Sequence, residues 1–188
     1  MPSPSVAVRR RPFLAPLWLA AAAVLFTSVV LYGVVRASIA IMGKTTTVVV
    51  LRHAEKNAGV DDLDPVLSSA GQERALRLAE MLGEERIAAI YVTDTRRSQL
   101  TAAPLAARLG VSPTVFPGGD TGELLADIGE RHVGAKVVVV AHSNTVPKIV
   151  ATLSRGRSTP VVADDEYDAL FVVTVTRFGP PAVLQLRY

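Results

Sequence analysis

Three short segments hold the residue types that could do chemistry: Arg52-His53-Ala54, Thr93-Asp94-Thr95-Arg96-Arg97-Ser98 and Ala141-His142-Ser143-Asn144. Each directly follows a run with the pattern of a β-strand. If the three strands are neighbours in one sheet, two histidines and at least two arginines converge on one pocket. A guanidinium is a planar fork of donors that matches phosphate oxygens and stays charged at any physiological pH. A neutral imidazole can attack phosphorus while the surrounding cations hold the equatorial oxygens. The set describes an anion site with a nucleophile in it. It does not describe a metal centre, because His53, His132 and His142 are far apart in sequence and the arginines would repel a cation. No cofactor is implied. The chain has no cysteine, which removes thiolate ligands, disulfides and a cysteine nucleophile together.

The elements that must position these residues follow from hydrophobic patterning. Thr45 to Leu51 is β-branched and continuously apolar at its end, and Val137 to Ala141 is apolar throughout, as strands covered on both faces are, and the first should be central. Ile87 to Val92 reads as another strand, Thr114 to Phe116 as a short edge strand, and Leu170 to Thr176 and Val183 to Leu186 as the last two. A polar loop with Asp61, Asp62, Asp64 and Pro65 precedes a helix capped by Ser68 or Ser69. That helix buries Ala75, Leu78, Ala79 and Leu82 and ends near Gly83. Further helices are expected over Thr101 to Leu109, Gly122 to Ile128 and Val146 to Leu153, the last with Pro147 in its first turn. Strands alternating with helices predict a three-layer α/β fold, a mostly parallel sheet with helices on both faces and functional groups at the strand carboxyl ends. His132 reads as part of a solvated turn, and Asp164-Asp165-Glu166 with Asp168 as a solvated loop.

The charge is unevenly distributed. The 188 residues carry 20 Lys+Arg against 17 Asp+Glu, a formal net charge of +3. Residues 1–40 hold four arginines and no acid, leaving 16 bases against 17 acids in the remainder, a net of −1. A nearly neutral domain has no electrostatic footprint for nucleic acid. From Phe13 to Val35 no residue is charged, and this run is long enough to cross a hydrocarbon core of about 30 Å. With Arg9, Arg10 and Arg11 before it and only Arg36 directly after it, the N-terminus should stay cytoplasmic and the domain lie outside. Residues 1–12 are thus read as a basic cytoplasmic segment, 13–35 as a transmembrane helix or signal anchor, 36–44 as a linker and 45–188 as the functional domain. Cleavage near Ala40 would release a secreted form, whereas an uncleaved span makes the protein single-pass and membrane-anchored.

Arg52-His53-Ala54 after a strand, the LSxxG signature from Leu67 to Gly71, Thr93-x-x-x-Arg97 followed by Thr101-Ala102, and the histidine after VVVVA together resemble the histidine phosphatase superfamily, whose fold is called phosphoglycerate mutase-like. The resemblance covers most of residues 45–155 and is nearest to the minimal branch that includes the bacterial phosphohistidine phosphatases. It implies that His53 is the nucleophile, that Arg52 and Arg97 bind the phosphoryl oxygens, and that His142 is the second pocket histidine. Arg96 is the register alternative to Arg97, and Asn144 a candidate for orienting bound substrate. The family also supplies a carboxylic acid for the leaving group. Here the residue after the second histidine is Ser143 and not Asp, which leaves Glu55, Asp120 and Glu123 as candidates. Lack of a strong acid would favour good leaving groups such as phosphoramidates. The implied partner is a phosphorylated small molecule or phosphohistidine. The rivals are a phosphoglycerate mutase-type phosphotransferase and a catalytically silent phospholigand-binding or interaction module of the same fold.

Overall fold

The computed structural model describes residues 17–42, 44–57 and 63–188 and divides into two units, Met1–Ile41 and Met42–Tyr188. The basic segment 1–12, the start of the expected span and the loop residues Asp61 and Asp62 lie outside the described residues. In the first unit a helix, α1, runs over Leu17–Met42. It passes through Arg36 into the expected linker, since nothing after Gly33 interrupts a run of ordinary helix formers. Its two hydroxyls satisfy themselves within the helix, Thr27 Oγ1 donating to Ala23 O at 2.9 Å and Ser28 Oγ to Val24 O at 2.8 Å, as an apolar surrounding requires. Trp18–Ile39, with mean hydropathy 2.1, is long and apolar enough to cross a membrane.

The second unit is built on six strands: β1 (Thr45–Arg52), β2 (Ile87–Thr93), β3 (Thr114–Phe116), β4 (Lys136–Ala141), β5 (Ala169–Thr176) and β6 (Ala182–Arg187). They form one sheet in the order β3-β2-β4-β1-β5-β6. β3, β2, β4 and β1 pair in parallel, whereas β5 pairs antiparallel with both β1 and β6. The mostly parallel sheet expected from the sequence is thus a mixed one, with three of its five pairings parallel and the two made by β5 antiparallel. The physical reason is that no helix crosses over between the last two strands: Arg177–Pro181 is too short to return the chain to the starting edge, so β5 and β6 form a hairpin.

Helices α2 (Ser69–Leu82), α3 (Arg96–Leu109), α4 (Thr121–Arg131) and α5 (Val146–Leu153) complete the unit. Successive residues of β1 feed different cores. Val48 and Val50 join a cluster with Ile128 of α4 and Ile149 of α5, and Val49 and Leu51 join one with Leu78 of α2 and Leu105 of α3. Burial on both faces is why this strand reads as unbroken TTTVVVL rather than as an alternating pattern. α3 begins at Arg96, five residues before the expected Thr101, so Pro104 lies mid-helix. Its N-cap Thr95 makes no side-chain cap bond. The cap comes from Asp64, whose two carboxylate oxygens accept the Arg96 N–H at 3.1 and 3.0 Å, a partner 32 positions away that a local pattern cannot reveal.

Candidate active site

The site is assembled at the carboxyl ends of β2, β4 and β1, which are adjacent in the sheet. The parallel register pairs Arg52 with Ala141, and the His53 N–H continues the ladder by donating to Ala141 O at 2.9 Å. His53 and His142 are the next residues on their strands, and their rings meet edge to face with centroids 5.3 Å apart.

His53 is only 3% exposed, and two helices hold its backbone. On one side the N-cap of α2 docks on the following loop, Ser68 N–H donating to Glu55 O at 2.9 Å. The helix approaches so closely that a Cβ on Gly71 would lie 2.1 Å from Glu55 O, which accounts for glycine in that signature. On the other side the Ala54 N–H donates to Thr101 Oγ1 of α3 at 2.9 Å, and the same hydroxyl donates to Arg97 O at 2.7 Å. The ring itself is fixed by Nδ1, 2.8 Å from Ala54 O. A carbonyl only accepts, so Nδ1 carries the proton and Nε2 keeps its lone pair. Arg97 Nε donates to that lone pair at 3.2 Å. Burial, with the Arg52, Arg97 and His142 charges adding to it, lowers the His53 pKa to about 4. His142 is lowered as well, first by burial and then by Arg97. Both rings are then neutral near pH 7.

The two arginines are held differently. Arg52 Nη1 donates to Ala163 O at 2.8 Å and to Glu166 O at 3.2 Å, and its guanidinium lies over the Tyr167 ring, 4.1 Å from the centroid. Its Nε is buried and has no hydrogen-bond acceptor among the described residues. Arg97, in the first turn of α3, pairs with Asp64 at 3.4 Å through Nη1. Together with Lys56, Ser143, Asn144, Asp164 and Tyr167, these two arginines and two histidines line a cleft of about 610 Å³.

The other sequence candidates are dispersed. Arg96 is exposed, and its backbone N–H is the one bound by Asp64. Asn144 is at the cleft, where its Oδ1 accepts from Thr145 Oγ1 at 3.1 Å. Glu55 faces away into a fork-like pair with Arg74, at 2.7 Å from Nη2 and 3.0 Å from Nε. Burial would raise its pKa, but the Arg74 hydrogen bonds outweigh this and hold the carboxylate below its ordinary range. Asp120 caps α4, accepting the Glu123 N–H at 3.1 Å. Glu123 lines a separate cleft beside Tyr91 and Asp127. His132 is no free surface group, since its Nε2 lies 3.0 Å from Tyr91 Oη, which donates to Asp127 at 2.6 Å. The wall formed by residues 163–167 was missed in sequence. An exposed acidic run between elements looks like any solvated loop, and Tyr167 inside it is the one residue whose type hinted at packing.

Comparison with known proteins agrees with this arrangement. Residues 48–118 match the model for the histidine phosphatase superfamily (branch 1). Phosphoglycerate mutase-like protein 4 of Arabidopsis thaliana is 32% identical over 93 residues, 46% of this chain and 37% of that protein. The chain thus spans little more than a third of that relative. The protein histidine phosphatase SixA, solved with tungstate, aligns with TM-score 0.63 and 23% identity over 75% of this chain and 96% of its own. The mycobacterial glucosyl-3-phosphoglycerate phosphatase aligns with TM-score 0.58 and 20% identity over 69% and 90%. At such identities these two structures speak for the fold alone. The family match covers β1 through β3, and over that span, with the strand order and the paired histidines beside it, the chain is similar to the histidine phosphatase superfamily.

Proposed function

We propose that residues 45–188 hydrolyse phosphomonoesters or phosphoramidates through a phosphohistidine formed on His53 Nε2. The observation that carries this reading is the tautomer: Nδ1 is tied to Ala54 O, so the lone pair is on the nitrogen that Arg97 faces, and the depressed pKa keeps the ring unprotonated. On this reading Arg52 and Arg97 bind the phosphoryl oxygens. An incoming oxyanion would satisfy the buried Arg52 Nε, a group that costs about 1–3 kcal/mol while it lacks an acceptor. His142, edge-on to His53, contacts the same phosphoryl group. Attack displaces the leaving group, and water then cleaves the P–N bond to regenerate His53. The chemistry needs neither metal nor organic cofactor.

The protein is further proposed to be held in a membrane by α1, with the phosphatase domain outside the cytoplasm and acting on envelope or scavenged phosphates. Support comes from the apolar length of Trp18–Ile39 and the arginine asymmetry around it. The test of the enzymatic reading is turnover of para-nitrophenyl phosphate and of a phosphohistidine substrate by the full chain in detergent, with an acid-labile, base-stable phosphoryl adduct trapped at His53. If the wild-type chain and His53→Ala are equally inert on both substrates, the reading is wrong. A reporter fused after Tyr188, active only on one side of the membrane, tests the topology.

A further inference from the structure

We infer that Asp164 is the general acid of this site, a carboxyl group that reaches the cleft from the loop preceding β5 and protonates the leaving oxygen. The inference rests on the proposed role of His53. Its first support is placement. Among the described residues, Asp164 is the one carboxylate lining the cleft that holds His53, Arg97 and His142. Its Oδ1 accepts a hydrogen bond of 2.7 Å from Ser143 Oγ, so it is anchored to the residue directly after the second pocket histidine. Its Oδ2 accepts no hydrogen bond from the described residues.

The second support is that the loop is fastened to the phosphoryl-binding machinery. The carbonyl of Ala163, immediately before Asp164, accepts from Arg52 Nη1 at 2.8 Å. The turn is closed by Glu166 N–H donating to Ala163 O at 3.1 Å, and Tyr167 stacks on the same guanidinium. Asp164 is therefore referenced to Arg52 on one side and to the His142 segment on the other.

The third support is that three other carboxylates are engaged elsewhere: Glu55 with Arg74, Asp64 with Arg97 and the Arg96 N–H, and Asp120 with the cap of α4. The step balances. His53 Nε2 bonds to phosphorus as the P–O bond to the leaving group breaks, and the Asp164 proton passes to the departing oxygen. The resulting carboxylate then takes a proton from the water whose oxygen attacks phosphorus. The P–N bond breaks, inorganic phosphate leaves, and both residues return to their starting forms. A proton donor of this kind extends the substrate range to ordinary alkyl phosphates and removes the need for an activated leaving group.

The experiment uses the full chain in detergent with para-nitrophenyl phosphate, whose leaving group needs no proton, and glycerol 2-phosphate, whose leaving group does. Asp164→Asn should lower kcat on the alkyl ester by about 10²-fold or more and change nitrophenyl turnover by less than about 10-fold. Asp164→Glu should recover part of the alkyl activity, and Asp94→Asn, outside the cleft lining, should leave the ratio of the two rates unaltered. Equal loss on both esters in Asp164→Asn would overturn the inference, since that is the signature of a binding or folding role. So would undiminished alkyl turnover. His53-dependent nitrophenyl or phosphohistidine activity that survives such a result leaves the proposed function standing, whereas wild-type inactivity on both esters and on phosphohistidine removes the two together.

Discussion

The cleft has two halves of different origin. One is built from strand ends and the first turn of a helix: Arg52, His53, Arg97 and His142 are placed by sheet register and by buried hydroxyl and carbonyl contacts. The other is a loop, residues 163–167, held by side-chain and carbonyl bonds to the first half. On the proposed function, the strand-built half holds and attacks the phosphoryl group, whatever that group is attached to. The loop-built half contains the Asp164 carboxylate and the Tyr167 ring, which on that proposal meet what lies beyond the phosphoryl group. The reversed direction of β5 makes this possible, because its amino end then lies at the same edge as the carboxyl ends of β1 and β4.

The largest expected effect is on the strand-built half. His53→Ala should reduce kcat on every phosphoester by on the order of 10⁴-fold or more, measured by phosphate release. A residual rate within a factor of about ten of wild type would move the nucleophile elsewhere. Arg97→Ala should cost about 10²–10³-fold without loosening the loop. Arg52→Ala should cost a similar factor and also free residues 163–167, detected as faster amide exchange there. If the two variants behave alike in exchange, the halves are not coupled through Arg52 as the geometry indicates.

A smaller effect is expected from the loop side. Tyr167→Ala removes the ring over Arg52, a contact of about 0.5–2 kcal/mol, and should raise KM by up to roughly tenfold with kcat little changed. A collapse of kcat would place Tyr167 in the chemistry. The smallest effect is that of pH on the nucleophile. A neutral His53 is required, and with its pKa lowered to about 4 nitrophenyl turnover should vary little between pH 7 and 5. It should fall only as acid protonates the ring below that. A limb near 6.5 would show that burial does not depress the ring. Stability follows the same sign. As pH drops from 6.5 toward 4, the unfolded chain takes up a proton at His53 that the folded chain does not, so the melting temperature should decline across that window.

What was legible in the sequence divides along the same line. The strands showed because burial on both faces writes long valine runs, and the cap of α2 showed because Ser68 acts on a residue three positions away. The chemistry at the strand ends could be read once those strands were placed side by side. The N-terminus of α3 was misread by five residues because its cap, Asp64, belongs to another loop. The hairpin direction of β5 and β6 was missed because strand pattern records burial and not orientation. Asp164 was passed over for a related reason: Ser143, 21 positions earlier, is what brings it to the cleft.

Thr101 shows how the strand-built half keeps its dimensions. One buried hydroxyl receives the Ala54 N–H, beside His53, and donates to the Arg97 carbonyl. Motion of α3 is therefore transmitted to both residues in the same sense, as displacement of a shared hinge pin carries both leaves with it. The 3.2 Å separation of His53 Nε2 from Arg97 Nε is thereby referenced to one side chain at both ends.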